Sequence, residues 1–210
     1  MTHVKICGIT EPQSLQACID SGTRFVGFVF YEPSPRFVQT NTAWTLSQML
    51  PTGVRSVGLF VDPDDVYINH ITSTVALDMI QLHGNETPER VLQIKSYSKM
   101  PVIKAIDVAV SSDLDCIADY ESIADWLLFD TKTKGQSGGH GQVFDWTLLQ
   151  NKTFQCPWML SGGLNSQNIQ QALSVLKPDA VDVSSGVEES RGIKSPKKIT
   201  EFLNTVKSIG

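Results

Sequence analysis

The stretch VKICG, residues 4–8, predicts a short strand that ends in a cysteine, Cys7, at a strand-to-loop corner. The stretch WLLFD, residues 126–130, predicts a later strand that ends in a carboxylic acid, Asp130. If both strands belong to one parallel barrel, the thiol and the carboxyl group open onto the same end of that barrel. The sequence therefore predicts an acid and a base in one site, without a metal.

Short apolar runs rich in Val, Ile and Phe alternate with amphipathic stretches along the whole chain. Continuously apolar strands are typical of parallel sheets that are covered on both faces. The eight candidate strands are Val4–Cys7, Phe25–Phe30, Ser56–Val61, Met79–Leu82, Val102–Ile106, Trp126–Asp130, Pro157–Leu160 and Ala180–Ser184.

Helix starts are marked where a capping residue stands at or near a proline, which is tolerated in the first helical turn. These signals are Thr10-Glu11-Pro12, Asp62-Pro63, Thr87-Pro88 and Ser195-Pro196, whereas residues 145–151 form the weakest helix candidate. Eight strand–helix units predict an α/β fold in which residues 1–210 form one (β/α)8 TIM-barrel domain. A doubly wound open sheet is the alternative, although no G-x-G-x-x-G motif follows the first strand.

Composition excludes several classes of protein. The 210 residues carry a net charge of −5 and no basic block, which argues against nucleic acid as a partner. No apolar run approaches the ~18 residues of a membrane span. The first residues enter a strand at once, which leaves no room for a signal peptide, so we expect a cytoplasmic protein. The spacing of the four cysteines and four histidines suits neither zinc nor a disulfide framework, so we expect no metal and no cofactor.

Polar residues occur where strands meet the expected mouth of the barrel. Because side chains alternate along a strand, residues two apart share a face, and the first of each pair lies one layer deeper. Unpaired buried polar groups are costly, so a purely structural core would not hold so many of them. Lys5 is then a natural partner for a deep acid, and its ammonium would favour the thiolate of the neighbouring cysteine. The predicted inward polar residues are Lys5, Cys7, Gln81, His83, Asp130 and Asp182.

Two Gly- and Ser-rich loops follow the seventh and eighth strands, where barrels often bind phosphate. Their backbone N–H groups can approach an anion closely, and a helix N-terminus adds a favourable dipole. The candidate phosphate residues are Gly162, Gly163, Ser184, Ser185 and Gly186. Arg36, on a Pro-stiffened loop, could hold a carboxylate with two hydrogen bonds.

Each of these residues also has a structural interpretation. Cys7 could be a small core residue, Asp130 a turn cap and Arg36 a solvated surface charge. His83 could be a hydrogen-bonded structural histidine, and we favour binding over chemistry for it. Asp182 could form a structural ion pair with Lys5, and the two loops could be plain turns.

The chain resembles the phosphoribosylanthranilate isomerase family of tryptophan biosynthesis. The motifs that carry the resemblance span nearly the whole chain in order: KICGIT (5–10), SPR (34–36), QLHG (81–84), Asp130 followed by GGxGxxFDW (138–146), LSGGL (160–164) and VDVSSGVE (181–188). The chain departs from the family pattern at His140, where the family usually has Thr, and at Ser195, where it usually has Asp. The first change could alter loop closure, and the second exchanges one helix-capping residue for another.

The resemblance implies an Amadori rearrangement of N-(5-phosphoribosyl)anthranilate, with Asp130 as general acid and Cys7 as general base. It implies that Arg36 binds the anthranilate carboxylate, that Asp182 contacts the amine or hydroxyl groups, and that the two loops bind phosphate. It implies no cofactor, a small phosphorylated aminosugar as the partner, and a monomer or a homodimer. Two alternatives stay open: the analogous isomerase of histidine biosynthesis, which would have Asp in place of Cys7, and a phosphosugar-binding barrel without catalysis.

Overall fold

The computed structural model describes residues 2–132 and 143–209. Eight parallel strands form a closed barrel in which each strand pairs with its neighbours in sequence and β8 pairs with β1. The prediction of a (β/α)8 barrel is therefore confirmed, and the predicted strand ends lie within about two residues of the observed ones. The strands are β1 His3–Cys7, β2 Phe25–Val29, β3 Arg55–Phe60, β4 Met79–Leu82, β5 Val102–Val108, β6 Trp126–Thr131, β7 Trp158–Leu160 and β8 Ala180–Val183.

Helices cover the outside of the barrel. They are α1 Pro12–Asp20, α2 Thr40–Ser47, α3 Asp65–Thr74, α4 Pro88–Ser98, α5 Ile117–Glu121, α6 Ile169–Val175 and α7 Pro196–Ile209. Three of them begin at the proline that the sequence marked. The helix expected near Asp62 begins later, at Asp65, because Asp64 accepts the capping hydrogen bond from the Tyr67 backbone N–H. The weakly predicted stretch 145–151 contains only a short 3-10 helix, Trp146–Leu149.

Two apolar layers stabilise this arrangement. One lies among strand residues alone: Phe25, Val57, Met79, Ile103, Ala105, Leu128, Met159 and Ala180. The other, larger layer joins the outward faces of the strands to the helices, and it contains residues such as Ile6, Phe129 and Phe202. Because both faces of each strand are buried, every polar side chain that remains on a strand needs a partner.

An antiparallel hairpin, β9 Glu188–Ser190 and β10 Ile193–Lys194, follows β8. Its turn contains Gly192, which has a φ of +86° and lies against the loop after β2. A Cβ at this position would lie 2.5 Å from the carbonyl oxygen of Pro35, so only glycine fits without a shift. The hairpin is thereby packed against the segment that carries Arg36.

Across the part of the chain that the structure describes, no helix has the length and apolarity needed to cross a membrane. The longest of these helices, α7, has 14 residues and only one buried face.

Candidate active site

A cavity of about 370 Å³ opens at the carboxyl ends of the barrel strands. Six of the predicted site residues line it: Cys7, Arg36, His83, Asp130, Asp182 and Ser184. They come from five different strand ends or the loops that follow them, so the closed barrel brings together residues that are far apart in the sequence. The volume suits a small organic ligand.

Lys5 and Asp182 form a buried ion pair, of which Asp182 lines the cavity. They are paired in register across β1 and β8, and Lys5 Nζ donates to Asp182 Oδ1 at 2.8 Å. The other carboxylate oxygen accepts from Ser161 Oγ at 3.2 Å. Burial alone would lower the pKa of Lys5, but Asp182 and Cys7 outweigh it and raise that pKa above its ordinary value. Lys5 is therefore a permanent cation inside the barrel.

Cys7 lies beside this cation. The neighbouring strand has Gly27 opposite Cys7, and a Cβ built there would be 2.9 Å from Cys7 Sγ and 3.3 Å from Lys5 Nζ. The thiol and the ammonium thus share the space that the missing side chain leaves. The residue that the sequence predicts as the base therefore lies beside a buried ammonium group.

Asp130 lies next to His83 on the other side of the cavity. His83 Nε2 is 3.3 Å from Asp130 Oδ2 and 3.8 Å from Asp107 Oδ1. Burial would lower the pKa of His83, but Asp107 and Asp130 raise it to about 10. The side-chain amide of Gln81, one layer deeper, lies 3.0 Å from His83 Nδ1. His83 is thus a cation whose charge faces the proposed acid.

Arg36 is buried, so the interpretation as a solvated surface charge is wrong. Its Nε and Nη2 donate to the two carboxylate oxygens of Glu188 at 2.7 and 3.0 Å. The sequence analysis included Glu188 in a motif but gave it no role. The signal that could have identified it is the first of two consecutive acids, directly after an apolar strand and a Gly-Ser loop, where a buried charge needs a cation.

The two predicted phosphate loops lie against each other. Gly162 and Gly163 have φ values of +88° and +67°, and a Cβ on Gly186 would collide with the carbonyl oxygen of Leu164. Of the five predicted residues, Ser184 lines the cavity itself. The helix that follows it is a 3-10 helix of three residues, Ser185–Val187, so the expected helix dipole is small there.

The residues that line the cavity also include three with polar side chains for which no role was predicted: Tyr31, Ser161 and Arg191. Ser161 stands directly before Gly162, and its contact with Asp182 could have been inferred from that motif. Arg191 is exposed in the turn of the β9–β10 hairpin and adds a second guanidinium at the rim. A hairpin this short leaves almost no pattern in a sequence, which is why this residue was missed.

The two departures from the family pattern have different outcomes. Residue His140, with Gly138 and Gly139, lies outside the described residues. Ser195 precedes Pro196, the first residue of α7, and its Oγ accepts from the Lys198 backbone N–H at 3.5 Å. Serine therefore stands where a helix-capping residue is required.

Comparisons with known proteins agree with this geometry. Residues 4–205 match the family described as N-(5'phosphoribosyl)anthranilate (PRA) isomerase. The chain belongs to this family. It is 51% identical over 205 residues to the N-(5'-phosphoribosyl)anthranilate isomerase of Rhodospirillum centenum, a match that covers 96% of each chain. The crystal structure of phosphoribosyl anthranilate isomerase from Thermotoga maritima superposes with a TM-score of 0.91 at 39% identity, covering 99% of this chain and 100% of that one.

A further PRA isomerase structure contains a bound ligand, reduced 1-(o-carboxyphenylamino)-1-deoxyribulose 5-phosphate. It superposes with a TM-score of 0.86 at 36% identity and covers 99% of this chain and 100% of the other. The chain is thus a PRA isomerase, an enzyme of tryptophan biosynthesis, built on a single-domain (β/α)8 barrel.

Proposed function

We propose that Cys7 and Asp130 are the base and the acid of PRA isomerisation in this chain. The observation that carries the proposal is that both line one cavity, with Arg36 and Ser184 also in its wall. The reaction converts an aminoaldose, N-(5'-phosphoribosyl)anthranilate, into an aminoketose. It moves protons within one molecule and has no net redox change, so two residues that exchange protons suffice.

The acid step opens the sugar ring. Asp130 donates a proton to the furanose oxygen as the C1–O bond breaks, and the nitrogen lone pair forms the C1=N iminium. His83, with its pKa raised to about 10 by Asp107 and Asp130, holds a proton 3.3 Å from Asp130 Oδ2 and can supply it to the carboxylate that protonates the ring oxygen. The contact between the two side chains thus accommodates the change in their charge when the proton passes to the ring oxygen.

The base step makes the ketone. Cys7 thiolate removes the C2 proton, the C–H electrons form the C1=C2 bond, and the iminium electrons return to nitrogen. The resulting enolamine takes a proton at C1 and releases the proton of its C2 hydroxyl group, which becomes the ketone oxygen. Lys5 supports this step because its ammonium balances the negative thiolate before the proton is taken.

Binding at both ends of the substrate places the reacting carbons between base and acid. Arg36 binds the anthranilate carboxylate, and Asp182 contacts the amine or hydroxyl groups. The backbones at Gly162–Gly163 and Ser184–Gly186 bind the phosphate. A ligand with these same groups, a carboxyphenylamino sugar phosphate, is bound in the related structure, and that supports the assignment of a phosphorylated aminosugar substrate.

Several expectations accompany this proposal. The chain acts in the cytoplasm, as one domain over residues 1–210, and as a monomer or a homodimer. The histidine-type isomerase is less well supported, because it would be expected to have an acid where Cys7 stands. The non-catalytic barrel is less well supported, because both proton-transfer residues are present in the cavity wall.

The test is fluorescence-monitored turnover of freshly made substrate, without added metal. Cys7→Ser and Asp130→Asn should each lower kcat by roughly 10²–10⁴-fold, the usual contribution of a positioned acid or base, while KM changes little. Cys156→Ser and Asp20→Asn, which lie outside the cavity, are the matched controls. Near-normal kcat in either site variant would remove the role assigned to that residue.

A further inference from the structure

A buried cluster of charges lies behind the cavity and takes no part in the proton transfers. Arg36, Glu188 and Lys194 are 7%, 7% and 2% exposed. Removing three charges from water is costly unless each one is closely paired. A structural role alone could be served by apolar residues of similar volume, so the arrangement of their polar atoms needs an explanation.

Glu188 is the centre of this cluster. Its Oε1 accepts from Arg36 Nε at 2.7 Å and from Lys194 Nζ at 2.8 Å. Its Oε2 accepts from Arg36 Nη2 at 3.0 Å and from the Gly192 backbone N–H at 3.1 Å. Four donors therefore fix both carboxylate oxygens. Burial raises the pKa of Glu188, but Arg36 and Lys194 outweigh it and lower that pKa, so the carboxylate stays ionised.

The consequence for Arg36 is a fixed orientation. Two of its three guanidinium nitrogens are engaged by Glu188, while Nη1 makes no hydrogen bond within residues 2–132 and 143–209. A planar guanidinium held along one edge can present the rest of its donors in only one direction. Because Arg36 lines the cavity, a ligand in the cavity can accept hydrogen bonds from these remaining donors. The cluster as a whole retains one positive charge, since it contains two cations and one anion.

Lys194 connects this cluster to the rest of the site. Besides Glu188, its Nζ donates to the Ser184 carbonyl oxygen at 3.0 Å and to Ser184 Oγ at 3.1 Å. Ser184 Oγ in turn donates to the carbonyl oxygen of Cys7 at 3.0 Å. One continuous chain of contacts therefore joins Arg36, the loop after β8 and the end of β1.

We propose that Glu188 is a positioning residue, which orients the Arg36 guanidinium for a substrate carboxylate, and that Lys194 links this orientation to the loop at Ser184. The inference rests on the proposed function in one respect, the binding of the anthranilate carboxylate by Arg36. It extends that function by assigning selectivity for a carboxylated aryl amine to the β9–β10 hairpin.

The test compares two inert ligands by equilibrium binding. One is the reduced product, a carboxyphenylamino pentitol phosphate, and the other is the same compound without the carboxylate. Wild type should bind the carboxylated ligand about 30-fold more tightly, the effect of a charge-assisted pair of hydrogen bonds. Glu188→Gln should reduce this ratio by about tenfold or more, because an amide has only one oxygen and cannot accept from both Nε and Nη2 of Arg36 through separate oxygens. Glu189→Gln, on the exposed neighbour in the same strand, should leave the ratio unchanged.

A double variant separates orientation from charge balance. Glu188→Gln leaves two buried cations without an anion and is expected to lower stability. Glu188→Gln with Lys194→Met restores the net charge of +1 of the cluster and should regain stability. Its preference for the carboxylated ligand should nevertheless stay low. In an Arg36→Met background, Glu188→Gln should have no further effect on the ratio.

Each result decides a different point. If Glu188→Gln and the double variant both keep the wild-type preference for the carboxylated ligand, the proposal is overturned. A ratio restored by the double variant would show that charge balance alone matters and would also overturn it. Equal binding of both ligands by wild type would overturn the assignment of Arg36, and with it this inference. If wild type shows no turnover but the ratio still falls in Glu188→Gln and in the double variant, the proposed chemistry is contradicted and the positioning role is supported.

Discussion

At the scale of single residues, the absence of a side chain at Gly27 is as important as the presence of the thiol. Gly27 pairs with Cys7 across β1 and β2. The space beside it is occupied by Cys7 Sγ and Lys5 Nζ, at 2.9 and 3.3 Å from where a Cβ would stand. The sequence showed Gly27 only as a glycine within an apolar strand, since nothing local reveals which neighbouring side chain uses the space.

Gly27→Ala should therefore impair catalysis more than folding. The added methyl group has to displace the thiol or the ammonium, which should lower kcat by about tenfold or more because small misplacements of a reacting group are costly. Steady-state kinetics and thermal unfolding are the measurements. The control is Gly58→Ala on β3, where a Cβ would meet Leu77 and Phe60 instead. That variant should lose about 1–3 kcal/mol of stability by overpacking and keep its kcat. A normal kcat in Gly27→Ala would contradict the prediction that Cys7 and Lys5 need the space beside Gly27.

At the scale of elements, the strand ends were predictable, whereas the hairpin after β8 and its contact with Arg36 were not. Continuous apolar runs bounded by polar residues gave all eight strands, because a strand buried on both faces must be apolar throughout. The hairpin of three and two residues was missed, since pairing that short depends on tertiary contacts. The Arg36–Glu188 contact was missed for a related reason, as 152 residues separate the two in the sequence.

Three neighbouring elements, β4, β5 and β6, bring His83, Asp107 and Asp130 together at their ends, and this makes folding depend on pH. The two acids raise the pKa of His83 from 6.5 to about 10 in the folded state. The folded protein therefore binds this proton more tightly than the unfolded chain does. By linkage, the stabilisation is complete below pH 6.5 and is lost progressively between pH 6.5 and 10.

The expected result is a stability difference between wild type and His83→Gln that shrinks as pH rises. It should fall by roughly 2 kcal/mol from pH 6 to pH 10, less than the full shift would give because the group is partly hydrated. Urea unfolding at several pH values measures this. Subtracting the two free energies of unfolding at each pH removes the contributions of the other titrating groups, except those that contact His83. A difference that stays constant, or grows with pH, would contradict the raised pKa.

At the scale of the whole molecule, closure of the barrel joins the two ends of the chain. β1 and β8 pair in register, and the buried Lys5–Asp182 ion pair crosses this contact between residues 177 positions apart in sequence. The alternation of side chains predicted both residues as inward, and the hypothesis that they pair is confirmed at 2.8 Å. The same pair places a cation beside Cys7, so one contact belongs both to the β1–β8 junction and to the candidate site.

The free energy of unfolding is therefore expected to fall when one partner of this ion pair is replaced, and to recover when both are replaced. Lys5→Met leaves the Asp182 carboxylate buried with Ser161 as its remaining side-chain partner, which should cost about 3–5 kcal/mol of unfolding free energy. Lys5→Met with Asp182→Leu replaces both charges by apolar groups and should recover most of that loss. The double variant should stay inactive, because Cys7 then lacks its cation and the substrate lacks Asp182. Urea unfolding with parallel turnover assays separates the two effects. A double variant as unstable as Lys5→Met would mean that the ion pair itself, rather than the avoidance of an unpaired charge, holds β1 against β8.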